Sequence, residues 1–166
     1  MGDPTTTDPT VIKLDSFEAF RDRTLQLAQL AQRQITIFTS DLEPELYDSS
    51  AFVEMALALI KRSRQTRIRI IATETRRLVE TGHQLLKLFR YTDEQFQLKK
   101  ISADPAVIMP TYFICDDHSL IRRQNPAFYQ GVCYTDDRLR AKDQMEDFEQ
   151  LWNIASDDPN LRQLTL

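Results

Sequence analysis

Glycine is scarce: Gly2, Gly82 and Gly131 are the three in 166 residues. A glycine-rich loop that wraps phosphates with backbone amides cannot be built from so few, which excludes Walker-type and dinucleotide-binding fingerprints. Two histidines and two cysteines are too sparse for the usual zinc ligand sets. No apolar run reaches the length of a membrane span. The opening MGDPTTTDPTVIKLD is polar and carries no apolar core of a signal peptide. Neither sign of charge dominates. Lys and Arg total 21 against 25 for Asp and Glu, a formal net charge of −4.

What is present fits one globular domain. Hydrophobic residues make up 42% and charged residues 28%, ordinary values for a chain that buries a real core. Cys115 and Cys133 sit in apolar stretches and read as buried free thiols. With no sign of export, a cytoplasmic protein is expected.

Residues 1–13, rich in Thr, Pro and Asp, read as a disordered tail. A helix is expected from Asp15, with Asp15 and Glu18 as a capping pair. Strands are expected over 34–40, 67–73 and 95–101. Between them lie helices over 50–64, capped by Asp48 to Ser50, and over 75–91. TYFICD and SLIRR form a hairpin around an Asp-Asp-His turn, and YQGVCY is a further strand. A last amphipathic helix over 138–155 turns Met145, Phe148 and Trp152 inward, and 157–166 is a C-terminal tail. Alternating β and α units imply a parallel sheet with helices on its faces, and the late strands add antiparallel pairs. The expected class is therefore α/β, one domain over 14–156, with a mixed, mostly parallel sheet flanked by helices.

The stretch ITIFTSDLEPELYDSSAFVEMALALIKRSRQTRIRIIATE, the hairpin TYFICDDHSLIRRQN and the closing FEQLW together resemble one half of a phospholipase D-like fold, over about residues 34–155. That family rests on His-x-Lys followed after four residues by Asp. The His is the nucleophile on phosphorus and the Lys holds phosphate charge. This chain departs from the motif. With Asp117 in the Asp role, Pro110 and Tyr112 stand for His and Lys. With Asp116 there, Met109 and Thr111 do. Asn125 stands about where the family has a downstream Asn. The resemblance implies a scaffold that has lost the reaction, with no catalytic residue, cofactor or metal. Single-half members pair, which implies a homodimer.

Open α/β sheets form sites beyond the carboxyl ends of their strands. That directs attention to Asp41, Glu43 and Tyr47 after the first strand, and to Arg76 and Arg77 after the second. His83, Tyr112, Asp117 and Asn125 complete the candidate ligand-binding set. Three consecutive turn residues, Asp116, Asp117 and His118, seldom converge on one ion. Lys61 to Arg77 holds seven cations and one acid, whereas Asp136–Asp158 holds eight acids and three bases. The basic run suits a phosphate-containing ligand or a nucleic-acid backbone. Three readings stay open: a non-catalytic domain binding an anionic ligand or a protein, a phosphodiesterase or nuclease of altered chemistry, and a nucleic-acid-binding module.

Overall fold

A computed structural model describes residues 10–92, 94–158 and 161. The chain runs β1 (Val11–Leu14), α1 (Phe17–Leu30), β2 (Gln34–Thr39), α2 (Pro44–Tyr47) and α3 (Ser50–Arg62). It continues through β3 (Arg67–Ala72), α4 (Arg76–Thr81), a 3₁₀ helix (Gln84–Arg90) and β4 (Phe96–Lys100). The hairpin β5 (Thr111–Cys115) and β6 (Ser119–Arg123), then β7 (Gly131–Tyr134), α5 (Arg138–Ile154) and β8 (Ser156–Asp157) complete it.

One sheet holds all eight strands in the order β1-β7-β6-β5-β2-β3-β4-β8. Among the described residues β2–β3 and β3–β4 are the parallel pairings and the other five are antiparallel. The sheet is thus mixed but mostly antiparallel, a correction to the expected balance. Hairpin-linked strands must pair antiparallel, and both edges are closed by strands that run against their neighbours. Residues 11–13, expected in the tail, are edge strand: Ile12 and Leu14 pack their apolar side chains on the core while the backbone pairs with β7. The rest of the expected N-terminal tail, 1–9, lies outside the described residues, as do 159–160 and 162–166 of the expected C-terminal one.

Alternation along the strands separates two cores. Ile35, Ile37, Ile68, Ile70, Phe96, Phe113 and Ile121 point to the face covered by α1, α3 and the 3₁₀ helix. Phe38, Ile71, Tyr112, Ile114 and Leu120 point to the face covered by α5 through Ala141 and Phe148. Ser16 caps α1 by accepting from Ala19 N at 3.1 Å, in place of the expected Asp15. Ser49 caps α3 the same way, accepting from Phe52 N at 3.2 Å. The single helix expected over 75–91 is interrupted. Gly82 takes the left-handed conformation (φ 67°), ends α4 and lets the chain re-enter as the 3₁₀ helix.

Candidate functional site

At the carboxyl ends of β2 and β3 a cleft of about 280 Å³ opens. Its walls are Phe38 of β2, Ser40 and Thr73 just past β2 and β3, Ala103 to Pro105 and Val107 to Pro110 before β5, and Asn125 to Ala127 after β6. This is where an open α/β sheet places its site. Among the lining residues none is Lys, Arg or His, and the one carboxylate, Asp104, accepts from Ala106 N at 2.9 Å. Val107 (58% exposed), Ile108 (63%) and, beyond Ala127, Phe128 (59%) carry the apolar surface outward. Asn125 belongs to this cleft, and its Oδ1 accepts from Ala127 N at 3.0 Å to close the turn.

The other candidates do not converge there. Glu43 makes a two-pronged ion pair with Arg123, whose guanidinium is 3% exposed. Arg123 also donates to Pro126 O at 2.8 Å and lies against the rings of Tyr129 and Phe20. The pair ties the loop after β2 to the loop after β6, two walls of the cleft. Burial pushes the Glu43 carboxyl up, against the pull of Arg123. Tyr47 is buried beside them and packs edge-on against Phe52, and burial drives its phenol far above its usual range. Tyr112 points to the opposite face, stacked on Phe38, and burial raises its phenol too. Asp41 lies 4.0 Å from Arg77, and Arg76 pairs with Glu80 at 2.9 Å, all on the surface.

His83 is 2% exposed. Its Nδ1 accepts from Leu85 N at 3.2 Å, so Nε2 carries the proton and donates to Leu42 O at 2.9 Å. Burial lowers its pKa. A neutral imidazole with both nitrogens engaged braces Leu42, itself at φ 52°, and offers nothing to a ligand.

The β5–β6 turn separates its two aspartates. Asp116 is buried and accepts from the amides of Gln32, Arg33 and Gln34 at 2.8–3.2 Å. Asp117 is exposed and pairs with Arg138 at 2.8 Å. Cys115, Asp116 and His118 bring ligand atoms within 4.8 Å of one another. Their atoms are committed elsewhere: the Asp116 oxygens to three amides, and the Cys115 thiol, pushed up to about 12 by burial, to Leu27 O at 3.2 Å. The cluster reads as a fastening between the hairpin and the start of β2.

Sequence reasoning missed two buried cations. Arg123 stood inside an apparent hairpin strand. Arg69, in the RIRIIA strand, is 4% exposed, pairs with Glu149 of α5 and lies 5.1 and 5.4 Å from the ring centres of Phe148 and Trp152.

The mixed sheet, its helices and the cleft define a phospholipase D-like fold. Nuc from Salmonella typhimurium, a phospholipase D family member, aligns with a TM-score of 0.64 and 16% identity, over 91% of this chain and 99% of that one. NucT from Helicobacter pylori aligns at 0.57 and 12%, over 89% and 97%. TrmBL2, an archaeal chromatin protein described as showing a novel mode of DNA binding, aligns at 0.67 and 14% over 93% of this chain; this chain spans 57% of its length. The chain belongs to the DUF7931 family, a domain of unknown function, whose pattern its residues 16–164 match. No curated protein matches the sequence.

Proposed function

We propose that this is a phospholipase D-like domain without the phospholipase D reaction, whose cleft is a protein contact surface, in the first place for a second copy of the chain. One observation carries the reading. Asp116, held by three backbone amides, is the aspartate built into the fold. In its register Met109 and Thr111 occupy the His and Lys positions of the family motif. The Thr111 hydroxyl is already spent on Phe38 O at 2.8 Å. A thioether is no nucleophile for phosphorus and a hydroxyl carries no charge to hold phosphate. The Asp117 register offers only Pro110 and Tyr112. The apolar lining of the cleft supports a protein partner over an anion, because rim-exposed Val107, Ile108 and Phe128 gain by leaving water together. Buried thiols at Cys115 and Cys133 suit a reducing, cytoplasmic setting.

Sedimentation velocity across a range of protein concentrations tests the contact. Wild type is expected as a dimer, and Ile108→Asp, an exposed change, as a monomer with an unaltered melting temperature. A wild type that is monomeric throughout, or an Ile108→Asp variant that stays dimeric, contradicts the second-copy reading.

A further inference from the structure

The basic run does not form one patch, because β3 passes through its middle. Arg76 and Arg77 lie beyond the carboxyl end of β3. Lys61, Arg62, Arg64 and Arg67 lie at its amino end, at the opposite side of the sheet from the cleft. Arg33 joins them: its carbonyl accepts from Arg67 N at 3.0 Å, and Arg67 Nε donates to Gln34 Oε1 at 3.2 Å. Arg62 borders a groove with Gln29 and Ala31. All five cations are exposed, and none forms an ion pair with a described residue.

These side chains are not needed to finish the helix. Two of the last four carbonyls of α3, and that of its cap Ser63, are satisfied by neutral donors. The Thr66 hydroxyl donates to Leu59 O at 2.6 Å, and the Gln95 amide donates to Ile60 O at 3.0 Å and Ser63 O at 2.8 Å. The same bonds fasten the 63–66 loop and so present Arg64 and Arg67 on a fixed backbone. The carboxylates at this end are few among the described residues. Asp116 is taken by amides, Asp117 by Arg138, and Glu149, within electrostatic reach of Arg67, by Arg69. Glu94 is exposed, as is Glu146, which lines a pocket with Gln34. A concentration of positive charge on a chain of net charge −4 is a local feature and not a bulk excess. Beside it Tyr91 is 60% exposed, with Lys61 Nζ 5.6 Å from its ring centre.

We propose that the amino-end surface of β2 and β3 binds a single-stranded nucleic acid, the arginines along its phosphates and Tyr91 under a base. Clustered cations beside an exposed ring are the chemistry that recognises a single strand. A bilayer is the poorer fit, since adhesion to lipid needs a continuous apolar face, and the large apolar side chains that the described residues expose at this end, Leu30, Tyr91 and Leu139, sit on three different segments.

The test is fluorescence anisotropy of a labelled oligothymidylate, with a duplex of equal length and phosphatidylserine vesicles as the other arms. The oligothymidylate is expected to bind with affinity that falls steeply with salt. Arg62→Ala/Arg67→Ala weakens it at least tenfold at about 50 mM salt and flattens the log–log salt slope by about 1.4 for two lost contacts. Tyr91→Ala weakens it about tenfold. Arg76→Ala/Arg77→Ala, at the other end, leaves it unchanged. The proposal is overturned by no binding at low salt, by loss with Arg76/Arg77 but not with Arg62/Arg67, by indifference to Tyr91→Ala, or by vesicles binding where the oligonucleotide does not.

Discussion

Arg123 and Glu43 show why the loops around the cleft hold their shape. The guanidinium is buried against two rings and its counter-charge comes from a residue 80 positions away. Arg123→Ala leaves Glu43 as an uncompensated buried carboxylate and is expected to cost about 3–5 kcal/mol in urea denaturation. Replacing both partners with apolar residues of similar volume, Glu43→Leu with Arg123→Met, is expected to recover most of that loss, since the pair's desolvation penalty goes with it. His83 gives a separate signature. Burial holds its folded-state pKa below the ordinary 6.5, so the unfolded chain binds the proton more readily. Stability is therefore expected to rise with pH through the window just below 6.5 and to fall as pH drops into it, levelling once pH is under the folded-state value. His83→Gln should flatten that window in thermal melts across pH; an unchanged profile would show the titration belongs elsewhere. Glu43 and His83 are both visible in the sequence as polar residues near strand ends. Their partners are not, because a bond to Arg123 or to the Leu42 carbonyl depends on how distant strands meet.

Among the elements, the periodic ones were the legible ones. The strands at β2, β3, β5 and β6 and the helices α3 and α5 follow alternation and helical spacing to within a residue or two. The expected long helix over 75–91 failed at Gly82, whose left-handed conformation outweighs an otherwise helical pattern. Edge strand β1 was hidden because four residues pairing on one side leave little periodic signal. Helix α5 was placed correctly, yet its inner face differs in weight. Phe148 is fully buried, while Trp152 is half-buried, stacked on Phe148, and shares Arg69 and Lys99 as cations over its ring. Phe148→Ala is expected to cost about 3–5 kcal/mol in chemical denaturation and Trp152→Ala less, the reverse order contradicting this packing. In β7, a Cβ on Gly131 would come 2.3 Å from the Arg122 carbonyl oxygen. Gly131→Ala is expected to destabilise by more than Gly82→Ala, whose Cβ meets nothing within 4 Å and whose cost, about 1 kcal/mol, is that of the left-handed backbone.

For the whole molecule, the sheet sets two unlike ends apart. The carboxyl end carries an apolar cleft, and the amino end carries exposed cations that form no ion pair with a described residue. Among the described residues no helix is long and apolar enough to cross a membrane. The fold class was legible from the order of β and α units. The separation of the ends was not, since a continuous basic run conceals that β3 carries the chain from one side of the sheet to the other. The proposed loss of the reaction rests on Met109 and Thr111 in the register of Asp116, and hydrolysis tests it most directly. Purified protein is to be assayed on bis(p-nitrophenyl) phosphate and on a labelled single-stranded DNA, with and without divalent cations, alongside Asn125→Ala, which removes one polar side chain of the cleft wall. Both proteins are expected at the buffer background on both substrates. Turnover that co-elutes with the wild-type protein through gel filtration and is abolished in Asn125→Ala would contradict the loss of catalysis.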